Sequence, residues 1–250
     1  MKKLALLLVS ASLMTGAYAD TDEELQAKRQ AWAKEYFAKQ GMPIPDGGIT
    51  IKPEEQMATY AEKKEERLRF KNDIQTLGYI KADHPSTNQL LTLNITAKRD
   101  LMMHASDNNP ESTHLKPSLK QLEMAYDAVQ IPAQTGVFIG AAPYLTYLKG
   151  QGWVGNIQFF NNPEAGNCSF SENNVKLSHA GIIIAQEDVR TDINGKTTTV
   201  EVMGSPDAGF TYSVEWFDKE FFRKVECANK AYSANITESV IKIAATIDNA

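Results

Sequence analysis

Cysteine is scarce in this 250-residue chain: Cys168 and Cys227 are the only two. They form no Cys-x-x-Cys motif, which removes thioredoxin-type redox chemistry and paired-cysteine zinc sites as sequence readings. Histidine is also sparse, with His84, His104, His114 and His179. None belongs to a His-Glu-x-x-His helix, and no Gly-x-Ser-x-Gly elbow is present. After residue 19 no apolar run approaches the ~20 residues that a membrane-spanning helix needs. Internal repeats and low-complexity tracts are missing as well. Positive charge is in deficit, with 26 Lys and Arg against 31 Asp and Glu. That balance disfavours nucleic acid or an anionic lipid surface as partner.

What is present starts at the N-terminus. Lys2 and Lys3 precede an apolar stretch of 11 residues, Leu4 to Met14, and Ala17-Tyr18-Ala19 follows with small-x-small spacing. This order reads as a secretory signal peptide over 1–19, in bacterial style, with cleavage after Ala19. No cysteine lies at the cleavage site, so a lipid anchor is not indicated. Cleavage leaves 24 basic and 31 acidic side chains, a formal charge of −7. The address is therefore periplasmic or secreted, an oxidising setting in which Cys168 and Cys227 are expected to pair as a structural disulfide.

The remaining chain changes character near residue 131. Over 20–130 the pattern is helical. Asp22 to Gln40 places Leu25, Trp32 and Tyr36 on one face, with Thr21 and Glu24 as a capping box and Gly41 as the stop. A turn-rich linker, 42–48, leads to a second helix opened by Pro53 and ended by Gly78. Residues 52–73 hold six cations and six anions around a thin apolar stripe. Such a run suits a solvated helix face or a partner-binding one, and Glu65, Glu66, Arg67 and Arg69 are its candidate contact residues. Ser86 to Ala105 repeats Leu90, Leu93, Ala97 and Leu101 at helical spacing, and Pro117 to Val129 reads as a fourth helix.

From 131 to 250 the chemistry is that of strands and turns. Residues 136–166 hold six of the 15 glycines. Strands are expected over Trp153–Phe160, Gly181–Ile193, Lys196–Met203 and Phe210–Phe217, with Phe221–Ala228 a fifth strand or a short helix, and Asn194-Gly195 is a strong hairpin signal. Ile236 to Ile247 is expected to close the chain as a helix. The fold class is α+β: about four N-terminal helices, then a disulfide-pinned antiparallel sheet with a terminal helix.

Hints of chemistry are weak. Gly150, Gly152 and Gly155 spell Gly-x-Gly-x-x-Gly, but a strand-like segment follows where a dinucleotide site needs a helix. His104, Asp107, Glu111 and His114 make up a ligand-rich loop without metal-site spacing. Ser178-His179 is adjacency, not a catalytic pair. Phe210, Tyr212, Val214 and Trp216 alternate onto one sheet face and read as core. Asn94, Asn167 and Asn235 begin glycosylation sequons, relevant only to a eukaryotic secretory route. No catalytic, cofactor or metal residue is expected. The reading is a non-enzymatic cell-envelope protein that binds another envelope protein. An exported hydrolase with an unrecognised site, or a secreted effector, is the alternative.

Overall fold

The computed structural model describes residues 48–57, 60–93 and 115–250. The chain divides into a unit Met1–Ile44 and a unit Pro45–Ala250. The first unit lies outside the described residues, and with it the signal peptide and the expected helix Asp22–Gln40. The ligand-rich loop between His104 and His114 lies outside them too.

In chain order the elements are β1 (Gly48–Lys52), α1 (Tyr60–Leu77), α2 (Pro85–Thr92), β2 (Val137–Leu148), β3 (Gly152–Asn162), β4 (Gly166–Asn174), β5 (Gly181–Ala185), β6 (Arg190–Ile193), β7 (Lys196–Ser205), β8 (Gly209–Phe217), β9 (Phe221–Asn229) and α3 (Ala234–Asp248). Seven strands form one antiparallel sheet in the order β2-β3-β4-β9-β8-β7-β6. β1 and β5 stand apart as a two-stranded parallel ribbon. The α+β class holds, with three α-helices among the described residues in place of about four in the N-terminal part alone.

The Asn194-Gly195 turn closes β6 onto β7, with φ of 48° and 75° at its two residues. Both values lie in the left-handed region that a tight hairpin turn requires, and Asn and Gly tolerate it best. Phe221–Asn229 is a strand, and Cys168 faces Cys227 directly across β4 and β9, joined by a disulfide. One sheet face then builds the core: Phe160, Cys168, Phe170, Tyr212, Val214, Trp216, Val225 and Cys227. α3 buries Val240, Ile243, Ala244 and Ile247 against it, a stripe at i, i+3, i+4 and i+7. Ser233 caps this helix by accepting the Asn235 N–H.

Two helix expectations and one strand expectation are corrected. Pro53 opens a 3-10 turn, Glu54–Gln56, and α1 begins only at Tyr60. Glu54 turns inward to meet Arg67 and Lys71, so the chain breaks where its carboxylate is needed. α1 does end at Gly78, at φ 82°, where a Cβ would collide with the Tyr232 hydroxyl. The expected helix Pro117–Val129 is a 3-10 turn, Leu119–Gln121, followed by extended chain. Its backbone groups are taken by the sheet. Lys116 bonds Ala141, Glu123 and Ala125 bond Trp153, and Gln158 accepts from the Ile131 N–H while donating to the Val129 carbonyl. A segment whose hydrogen bonds are satisfied laterally gains nothing from an i→i−4 ladder. Likewise Gly181–Ile193 is not one strand. A 3-10 turn at Gln186–Asp188 splits it, so that β5 joins β1 and β6 joins β7.

Beyond the apolar core lies a buried ionic brace. Glu172 on β4 has a fully buried side chain and accepts from Arg223 Nε at 2.8 Å and from the Val129 N–H at 3.1 Å. Arg223 also reaches Asp218 at 2.9 Å and lies over the Phe221 ring. Asp248, at the end of α3, accepts from Lys196, Trp216 Nε1 and Asn194. Burial raises the Asp248 carboxyl, but these three donors outweigh it and leave the group below the usual aspartate range. A depressed folded value adds stability above the unfolded pKa of ~4 and loses it as pH falls through the folded value. Asp248→Asn is therefore expected to cost about 1–3 kcal/mol at pH 7. In urea titrations the gap from wild type should close below about pH 4. A gap that stays constant with pH would mean the carboxylate charge contributes nothing.

Candidate functional site

α1 presents the mixed-charge run that the sequence singles out. Glu65, Glu66 and Arg69 are exposed, and the Arg69 guanidinium lies over its neighbour Phe70 at 5.2 Å. Arg67 is used differently. It donates to Glu54 and, at 2.8 Å, to Asp188 Oδ2 in the turn after β5. Lys71 donates to the other Glu54 oxygen, and the Glu54 N–H donates to Glu187 at 2.9 Å. Glu54 is buried, yet its carboxyl stays below its ordinary value, because the Lys71 hydrogen bond first and Arg67 second outweigh burial. These bonds clamp α1 to the C-terminal end of the β1·β5 ribbon, where the chain leaves both parallel strands. Arg67 is thus a fastening inside the molecule, whereas Glu65, Glu66 and Arg69 face solvent.

The ribbon is the more unusual part of this surface. In parallel pairing, residues in register share a face, so Ile49 and Ile51 lie with Ile182 and Ile184, and Thr50 lies with Ile183. Parallel strands are apolar on both faces because other elements normally cover both. Here Ile51 is 44% exposed and Ile183 is 46% exposed, on opposite faces of only two strands. α1 adds Leu68, 58% exposed, with Ile74 and Leu77 also exposed. Sequence reading missed Ile51 and Ile183. The apolar run Gly181–Ala185 was visible as strand, but nothing local says that it pairs with Gly48–Lys52, a short mixed segment, and not with the main sheet.

The remaining sequence hints resolve into structure. Gly150 sits in the β2–β3 turn, and Gly152 and Gly155 lie in β3. At Gly152 a Cβ would meet the Glu123 carbonyl at 2.5 Å, so this glycine serves the close crossing of Glu123 and Met124 over the strand, whereas Gly155 lies between the Tyr144 and Glu172 carbonyls of its neighbouring strands. His179 is exposed at φ 51° and Ser178 Oγ is buried without a partner; neither faces the other's chemistry. Phe210, Tyr212, Val214 and Trp216 are core. Among the described residues no three His, Cys, Asp or Glu side chains converge as a metal-holding group.

His84 has partners at both ring nitrogens. Its Nδ1 accepts the Ser86 N–H, capping α2, and its Nε2 lies 3.5 Å from Glu226 Oε1. Burial lowers its pKa more than Glu226 raises it, which favours the neutral ring with the proton on Nε2. A general base needs a free nitrogen facing its nucleophile. His84 offers none in this arrangement, and Ser86 Oγ donates to Glu226 Oε2 at 3.2 Å.

No protein-family model, curated protein or solved structure matches this chain. Among the described residues no helix is long and apolar enough to cross a membrane.

Proposed function

We propose that this protein is an exported, non-enzymatic component of the bacterial cell envelope. In this reading it binds another envelope protein through the surface made by the β1·β5 ribbon and α1. One observation carries the reading: two strands expose isoleucines on opposite faces beside a solvent-facing charged helix. Apolar surface kept exposed on a short, regular edge favours association by burial or by strand addition. Glu65, Glu66 and Arg69 would give that contact orientation and salt sensitivity. The leader-like N-terminus and the Cys168–Cys227 bridge support the exported address.

The test uses the mature chain as bait in envelope extract, with chemical cross-linking. Ile51→Thr with Ile183→Thr keeps β-branched side chains on the strands and should lower the melting temperature only modestly, since the two residues are 44% and 46% exposed. Capture of the cross-linked partner should fall by about tenfold or more. Charge reversal at Glu65, Glu66 and Arg69, with Arg67 untouched to preserve the Glu54 clamp, should weaken capture most at low salt. Equal capture by the Ile51/Ile183 variant would remove the ribbon as the binding surface.

A further inference from the structure

On the second face of the seven-stranded sheet, the middle of β7, β8 and β9 is polar, and register sorts its side chains into rows. Glu201 on β7, Ser213 on β8 and Glu226 on β9 are cross-strand neighbours. The next row on the same face is Thr199, Glu215 and Lys224. Within this patch Lys224 Nζ lies 2.6 Å from Glu226 Oε1 and 3.3 Å from Glu215 Oε1. Thr199 Oγ1 donates to Glu215, and His84 and Ser86 close on Glu226. One ammonium therefore serves two carboxylates, and Glu201 has no ion-pair partner on these strands.

Ser213 supplies an independent observation. The residue is 6% exposed, and its Oγ is buried with no hydrogen-bond partner. It stands in the row between Glu201 and Glu226, so its hydroxyl is directed to the face that carries them. A buried hydroxyl without a partner costs stability unless something else uses it. Glu201 is exposed as a residue, yet its carboxyl is crowded. Desolvation first and the nearby Glu215 charge second hold it above the ordinary glutamate value, against the pull of Lys224.

We propose that the Glu201–Ser213 end of this face binds an alkylammonium group, carried either by a lysine side chain of a peptide or by a free polyamine. Lys224 shows that an alkylammonium fits between these strands, where it already bridges two glutamates. A second ammonium has three N–H donors, for the Glu201 carboxylate, for Ser213 Oγ as acceptor and for an outer oxygen of Glu215 or Glu226. A metal ion fits less well, because the carboxylates of the described residues do not converge at ligand geometry. The long side chains of Glu201 and Lys224 can swing to admit the group to Ser213.

Titration calorimetry on the mature, oxidised chain at low salt tests this. The probes are spermidine, a short lysine-containing peptide, the same peptide acetylated on the lysine nitrogen, and magnesium chloride. The unmodified amines should bind at one site, and the acetylated peptide should not. Tighter spermidine binding would identify a polyamine as the source, and tighter peptide binding a lysine side chain. Glu201→Gln should weaken the amine by about tenfold with an unchanged melting temperature. Ser213→Ala removes the orphan hydroxyl, so it should weaken the amine several-fold with a melting temperature equal to or above wild type. No amine binding up to about 10 mM, equal affinity in Glu201→Gln, or magnesium binding as tight as the amine, would overturn the proposal.

Discussion

Arg223→Met is expected to cost about 3–5 kcal/mol, because it strips the partner from a carboxylate that has no other cation in reach of hydrogen bonding. Glu172 is fully buried; its Oε1 accepts from Arg223 Nε and its Oε2 from the Val129 N–H. Burial raises its carboxyl above the ordinary value, more than Arg223 lowers it. Removing the guanidinium leaves burial opposed only by the Val129 N–H and the Asn156 side chain, so the carboxyl rises further. The sign with pH follows. With a raised folded pKa, the penalty is full above that value and is relieved as pH falls toward the unfolded value of ~4.3. Urea denaturation of Arg223→Met should therefore show its largest deficit at neutral pH and a smaller one near pH 5. Glu172→Gln with Arg223→Met removes both charges and should recover much of the loss, since replacing a buried pair is often close to neutral. A deficit in Arg223→Met that ignores pH would show that lost packing over Phe221, not the orphaned charge, is the cause.

The second large effect belongs to the disulfide. Cys168 and Cys227 are 59 residues apart in sequence, and chain entropy alone gives about 4 kcal/mol for a loop of that size. Cys168→Ala with Cys227→Ala should lower the urea midpoint accordingly. Both cysteines are fully buried beneath α3, so native protein should resist reductant until it unfolds. Intact mass should rise by two hydrogens only after denaturation and reduction. If both thiols alkylate freely in the native protein, the bridge does not form in place.

The proposed binding surface and the amine site lie on different elements, and the tests separate them. The Ile51/Ile183 variant leaves Glu201 and Ser213 untouched, and Glu201→Gln leaves the ribbon untouched. Either can fail alone.

Much of the fold was legible from local chemistry. Alternation of polar and apolar residues over 196–203 and 210–217 marks strands, because a pleat sends successive side chains to opposite faces. Asn194-Gly195 marks their hairpin neighbour, since those two residues alone in that stretch accept positive φ cheaply. Gly78 marks the end of α1 for the same reason. The stripe in 236–247 marks the terminal helix, and two cysteines in a chain read as exported mark a bridge. The leader itself, Lys2-Lys3 through Ala19, is a sequence reading and lies outside the described residues.

Other features were decided only when the chain folded. Leu119 and Leu122 suit a helix as well as a turn, and the sheet chose the turn by taking the hydrogen bonds of residues 116–131. Arg67 looks like any exposed helix charge until Glu54 and Asp188 arrive from segments 13 and 121 residues away. Ser213 is an ordinary strand serine until β7 and β9 set Glu201 and Glu226 on either side of it. Periodicity and turn chemistry act within a few residues and so are written in the sequence. Register, and which charge meets which, depend on contacts between distant segments, and only the tertiary structure supplies those.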